Sequence, residues 1–139
     1  MLVLSRDAYA AILEHADEDA PREACGLMAG RIEGSVAHVA SVHRTPNVAG
    51  APRLAYEIDP ETLLQTVETV EEHGLDVVGF YHSHPAGPAG PSRTDHEGTT
   101  WTGRHYLIAS LARRPPTVDA WRWRGDGFEM DDVCVEPPD

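Results

Sequence analysis

Three features of the sequence predict an α/β domain, a mixed β-sheet with flanking helices. The segment 59–74, DPETLLQTVETVEEHG, carries a full set of helix signals. The segment 76–84, DVVGFYHSH, follows at once with a continuous apolar run, as expected of a strand buried on both faces. Around this pair lie further short strand-like segments with no repeat and no linker between them. The chain has 139 residues, the usual size of one compact domain, so 1–139 is read as a single unit.

The elements follow in chain order. Ser5 caps a first helix, with Asp7 in its first turn. Tyr9, Ile12, Leu13 and Ala16 fall at helical spacing, and Pro21 ends the run. Residues 23–31 are apolar and punctuated by glycine, which suits a buried strand. IEGS is a turn into a second strand, 36–42, giving a hairpin. That strand is expected to place Val36, His38, Ala40 and Val42 on one face and Ala37, Val39 and Ser41 on the other. Residues 45–52 form a loop, and LAYEI, 54–58, reads as a short strand. In 59–74, Asp59 is the N-cap, Pro60 sits at N1, Glu61 lies in the first turn and Gly74 is the C′ stop. Leu63, Leu64, Val67 and Val70 form its apolar stripe. AGPAGP after the 76–84 strand continues neither strand nor helix. Ser92 then caps a short helix with Asp95 at N3, the pattern of a capping box. Segments 105–111, 117–124 and 128–136 read as three final strands, the last two joined at GDG. The predicted order is α β β β α β α β β β.

Composition excludes several function classes. Acidic residues number 23 against 11 basic ones, for a formal net charge of −12, and every basic residue is Arg. A surface this acidic repels phosphates, so nucleic acid is not an expected partner. The lack of Lys resembles proteins of very salty cytosol, and it leaves no ε-amine for an isopeptide tag. Cys25 and Cys134 are too few for a disulfide framework and are read as buried small hydrophobes. No secretory signal opens the chain and no apolar run approaches the ~20 residues of a membrane helix, so a cytoplasmic protein is expected.

The stretch Tyr81 to Asp95, YHSHPAGPAGPSRTD, carries the chemistry. His82 and His84 are two apart at the end of a strand, so their imidazoles point the same way while Ser83 turns aside. Asp95 lies a turn into the next helix, on the face it shares with Ser92. If the loop folds that helix start against the strand end, two His and one Asp form the ligand set of a catalytic zinc site with an open position. Such a site activates water for attack on a carbonyl. Hydrolysis also needs a base and an oxyanion partner. Ser92 can serve as the second. Glu23 is the best candidate for the first, because a charge is otherwise unexpected at the start of the apolar EACGL. Glu61, Glu68 and Glu71 suit solvated helix faces. His96 is read as an exposed helix residue, and His15, His38, His43, His73 and His105 as surface or sheet residues. Trp101, Trp121 and Trp123 are assigned to core or groove-edge packing.

The spacing H-S-H-P-x6-S-x2-D resembles, without deviation, the signature of the JAMM (MPN+) zinc metalloproteases. Chance gives the His, Ser and Asp spacing about 0.001 times in a chain of this composition. The family's upstream P-x-E-x-C-G is matched by Pro21, Glu23, Cys25 and Gly26. The chain is most similar to short archaeal and bacterial members, haloarchaeal desampylases among them. SVHRTPNVAGAPR, VVGFYHSHPAGPAGPSRTD and WTGRHYLIASL carry that likeness. The resemblance implies a cytidine-deaminase-like α/β fold. It also implies Zn2+ on His82, His84 and Asp95, with Glu23 as general base and acid and Ser92 stabilising the tetrahedral intermediate. Asn47 lies in a loop whose counterparts border the groove. The implied activity is an isopeptidase removing ubiquitin-like modifiers after a C-terminal Gly-Gly. The alternative is a peptidase that trims the C-terminus of a ubiquitin-like sulfur-carrier protein. Nucleoside deamination needs His-x-Glu and Pro-Cys-x-x-Cys, and neither occurs. A non-catalytic scaffold of the same fold would have lost the ligand set.

Overall fold

A computed structural model describes residues 1–137. Its elements are β1 (Leu2–Leu4), α1 (Arg6–Asp19), β2 (Cys25–Glu33), β3 (Val36–Thr45), α2 (Pro60–Glu72), β4 (Asp76–His84), α3 (Arg93–Gly98), β5 (His105–Ser110), β6 (Thr117–Trp123), β7 (Phe128–Asp131) and β8 (Val133–Val135). One eight-stranded mixed sheet has the order β7-β6-β5-β4-β2-β3-β1-β8. The β4–β5, β1–β3 and β1–β8 pairs are parallel, and the others are antiparallel. Strands β7 and β8 stand at opposite ends of that order although only Asp132 separates them. The sheet therefore curls back on itself, and Leu2 N–H donates to the Asp132 carbonyl at 2.8 Å.

A helix packs on each face. Ser5 Oγ accepts from Ala8 N–H at 3.1 Å and starts α1. Its Ala8, Ile12 and Ala16 join Leu2, Leu4, Met28 and Leu107 in one core, with Tyr9 and Leu13 against its edge. Full burial of a side chain such as Leu2 or Ile12 stabilises by about 1.5–3 kcal/mol. Asp59 caps α2 by accepting from Thr62 N–H at 3.1 Å, Pro60 opens it, and Gly74 at φ 73° closes it, as the sequence predicts. Leu63, Val67 and Val70 pack with Leu27, Val77 and Phe80 in a second core. Leu64 departs from the predicted stripe and stays 59% exposed.

Two bulges set which face each residue meets. In β4 the register skips Val78, pairing Met28 with Gly79 and Ala29 with Val77. Val78 thus enters the α1 core, while Phe80 falls in the α2 core. His82 and His84 follow Phe80 at the strand's two-residue period, onto the α2 face. Gly79 marks the place, because a Cβ there would run into the His105 carbonyl. In β3 the register skips Ala40. Val42 therefore packs with the core that holds Ala37 and Val39, against the simple alternation expected.

Four further expectations need correction. The segment 54–58 forms no strand. Its start is a turn in which Leu54 and Ala55 N–H both donate to the Ala51 carbonyl, and its later polar groups bind Asn47 instead of a neighbouring strand. LVL at 2–4 does form a strand, too short to stand out but completed by parallel partners on both sides. The segment 128–136 splits into β7 and β8. Cys134 is exposed, whereas Cys25 is buried as expected.

Candidate functional site

The site lies where three chain segments meet. β2 and β4 are antiparallel, with Cys25 opposite His82. The start of β2 therefore meets the end of β4, which brings Glu23 beside His82 and His84 across a long sequence separation. Ser83 points away from the histidines and its Oγ accepts from Ala24 N–H at 2.8 Å, fixing the residue next to Glu23. α3 closes the third side. Ser92 Oγ accepts from Asp95 N–H at 3.1 Å and Asp95 Oδ2 accepts from Ser92 N–H at 2.9 Å, so the predicted capping box is formed. The box aims the Asp95 carboxylate back at β4.

Glu23, His82, His84 and Asp95 are all buried, and their ligand-type atoms lie within 4.8 Å of one another. His82 and His84 Nε2 are 3.2 Å apart. Asp95 Oδ2 is 3.1 Å from the first and 3.0 Å from the second. Bonds of about 2.0 Å in a tetrahedron imply edges of about 3.3 Å, so this triangle has the size of one face of a zinc-type ligand set. The protonation pattern agrees. His84 Nδ1 lies 2.8 Å from the Pro88 carbonyl, which can only accept. Nδ1 therefore carries the proton, and Nε2 of the neutral ring offers a lone pair. That lone pair faces a carboxylate oxygen and a second imidazole nitrogen. Three electron-rich atoms converge, and a cation between them removes the repulsion. The residues fit a divalent metal.

The ionisation states follow from burial and neighbours. Burial lowers the His82 pKa, against the Asp95 carboxylate. Burial also opposes charge on His84, but Asp95 and the Pro88 carbonyl outweigh it and raise the pKa. Burial would raise Asp95, yet the adjoining His82 and His84 imidazoles, in their protonated forms, and the Ser92 N–H hold its carboxyl well below the carboxylate range. Glu23 goes the other way. It is 4% exposed and its Oε1 has no hydrogen-bond partner among the described residues. Desolvation pushes its carboxyl up to about 7, against the pull of His84 and with help from Asp95. A carboxyl poised there can accept a proton and return it near neutral pH.

Beside the site runs a cleft of about 420 Å³, bordered by Tyr56, Ile58, Leu63, Phe80, Trp101 and Tyr106, with Asp95 on its wall. The residues singled out by sequence, Glu23, His82, His84, Ser92 and Asp95, thus come together. His96 is exposed, with its ring edge-on to Trp123 and Phe128, and lies outside the cluster. His15 is a correction. It is 4% exposed, with Nδ1 at 2.7 Å from the Tyr81 hydroxyl and Nε2 at 3.0 Å from Asp19. Trp123 is core, Trp121 is half-buried and Trp101 borders the cleft.

Sequence reasoning missed Tyr56, whose ring stacks on His82 with centroids 4.4 Å apart and planes at 23°. An aromatic in a segment read as a strand carried no signal for this. Asn47, in a loop that the family resemblance sets beside the groove, binds five backbone groups. Its Nδ2 donates to the carbonyls of Glu23 and Ala55 at 3.0 Å each and of Pro52 at 3.4 Å. Its Oδ1 accepts from Ala49 N–H at 3.0 Å and Glu57 N–H at 3.1 Å.

Comparison with known proteins agrees with this geometry. The family described as prokaryotic homologs of the JAB domain matches residues 5–124. A protein named desampylase from Haloferax volcanii is 44% identical over 97% of this chain and 96% of its own length. A CysO-cysteine peptidase from Mycobacterium tuberculosis is 36% identical over 79% of this chain and 73% of its own. The solution structure of a Desulfitobacterium hafniense protein superposes with a TM-score of 0.90 at 31% identity, covering 99% of this chain and 94% of the other.

Proposed function

The chain belongs to the family of prokaryotic homologs of the JAB domain, and from that premise we propose that it is a zinc-dependent isopeptidase that releases ubiquitin-like modifier proteins from their targets, cutting after a C-terminal Gly-Gly. The domain is taken to span 1–139 and to work in the cytoplasm. The observation that carries the reading is the convergence of two imidazole nitrogens and one carboxylate oxygen beside a desolvated Glu23 whose Oε1 has no partner among the described residues.

In this reading His82, His84 and Asp95 hold Zn2+. When bound, the ion supplies Lewis acidity that makes a water acidic enough to attack a carbonyl near neutral pH. Glu23 Oε1, which has no other partner among the described residues, takes the proton of the attacking water and passes it to the departing amine. Ser92 Oγ uses one acceptor site on Asp95 N–H. Its own O–H remains available to donate to the developing oxyanion, so capping and catalysis coexist. The substrate tail is expected to run as an extended strand, with glycines where side chains would clash.

The test is incubation with modifier–protein conjugates, followed by mass measurement of the products. Release of the modifier ending in Gly-Gly, abolished by EDTA, is expected. A second reading keeps the chemistry and has the enzyme trim the C-terminus of a ubiquitin-like sulfur-carrier protein. The similarity to a protein named CysO-cysteine peptidase favours it. A carrier with a C-terminal extension, shortened while conjugates stay intact, would select that reading.

A further inference from the structure

The two histidines of the site are steadied in different ways. The outer nitrogen of His84 is bonded to the Pro88 carbonyl, and such an outer partner normally fixes the orientation of a metal-binding imidazole. His82 has none. Its Nδ1 is buried without a hydrogen-bond partner among the described residues. What lies against its face is Tyr56, nearly parallel at 4.4 Å. Its edge meets His84 with centroids at 4.9 Å and planes at 65°. An imidazole free of an outer hydrogen bond can turn about its Cβ–Cγ bond. Turning here would sweep the ring through the Tyr56 face.

Tyr56 is itself held from both sides. The carbonyl of Ala55 and the N–H of Glu57 both bind the Asn47 side chain. The same side chain holds the Glu23 carbonyl, while Glu23 N–H donates to Pro52 at 2.7 Å. One amide therefore ties the tyrosine over His82 to the backbone that carries Glu23.

We propose that Tyr56 is the positioning residue of His82: its ring, held by Asn47 through Ala55 and Glu57, locks the imidazole so that Nε2 points at Asp95 and His84. Packing does for His82 what the Pro88 carbonyl does for His84. The proposal rests on the reading of His82 as a metal ligand. It assigns the work to the aromatic face and none to the hydroxyl. A tyrosine that served only as a wall of the cleft would change KM and leave metal affinity alone.

The experiment compares the full chain with Tyr56→Phe and Tyr56→Leu. Zinc affinity is measured by competition with a chromophoric chelator, and His82 is examined in crystal structures of the zinc-free proteins. Tyr56→Phe is expected to match the wild type in both. Tyr56→Leu is expected to bind zinc about tenfold or more weakly, with His82 rotated or in two positions. Melting curves in EDTA establish that each variant folds. Tyr56→Met, which has no flat face, replaces the Leu variant if that one does not. Unchanged zinc affinity and one unmoved His82 conformer without the aromatic ring would overturn the proposal, as would a Phe variant as weak as the Leu variant. A wild type that binds no zinc defeats the metal reading instead, and the zinc-free His82 conformers still judge the positioning role.

Discussion

Replacing Glu23 by Gln separates catalysis from stability. The substitution keeps the side chain's shape. Its backbone is pinned independently, through Pro52 and Asn47. The carboxyl is displaced from an ordinary 4.5 to about 7, chiefly by desolvation. Below about pH 4.5 it is neutral in both the folded and the unfolded chain, so wild type and variant have equal stability. Between 4.5 and about 7 the unfolded chain ionises first, and the wild type loses stability as pH rises. Above 7 the loss is complete, at about 3 kcal/mol. The Gln variant has no such loss. In EDTA-treated protein at pH 8 it should melt higher by on the order of 10 °C, with the difference vanishing near pH 4.5. Turnover should move the opposite way, falling about 10²–10⁴-fold, because the amide cannot carry the proton. Thermal melts across pH and a conjugate-cleavage assay read the two effects. Near-normal turnover would remove Glu23 from proton transfer. An unchanged or lower melting temperature at pH 8 would show that the carboxylate is not held at a desolvation cost.

His82→Ala and Asp95→Ala should each weaken zinc binding by more than about 100-fold, beyond the range of outer-partner changes, and abolish cleavage. EDTA should inhibit the wild type and added zinc restore it; insensitivity to EDTA would sink the metal mechanism. Asn47→Ala strands backbone groups of the 47–57 segment and of Glu23, and is expected to cost about 1–3 kcal/mol together with a fall in kcat. If its melting temperature and kcat both match the wild type, Asn47 is no clamp. Burial pushes the Cys25 thiol up to about 11, while Cys134 is exposed. Iodoacetamide at pH 8 should thus label the native protein once, at Cys134, and reach Cys25 only on unfolding; peptide mass mapping checks this.

Most of the architecture was legible because its signals are local. Asp59, Pro60 and Gly74 bound α2 by chemistry that acts within a turn, and the apolar run 77–81 could be little other than a buried strand. The capping box between Ser92 and Asp95 spans three residues and forms as read. The misreadings share a cause, dependence on distant partners. LVL became a strand because β3 and β8 flank it. LAYEI did not, because Asn47 took the polar groups a neighbouring strand would have bound. Cys134 is exposed because the pairing of β8 with β1 turns its neighbours Val133 and Val135 to the core instead. The faces of β3 and β4 were misjudged or left open, since a bulge is a property of paired strands and is invisible in either alone.

The same division runs through the site. Sequence by itself determined the donor types and their local geometry: two imidazoles on one side of a strand end, and a carboxylate aimed by a helix cap. It determined the class of chemistry too, because that spacing suits little else. Tertiary structure decided the rest. The Val78 bulge chose the sheet face on which the histidines stand, and antiparallel pairing of β2 with β4 carried Glu23 to them. The Asn47-bound segment laid Tyr56 over His82. Each of these depends on backbone pairing or packing between residues far apart in the chain, where no short-range pattern of residue types constrains the outcome.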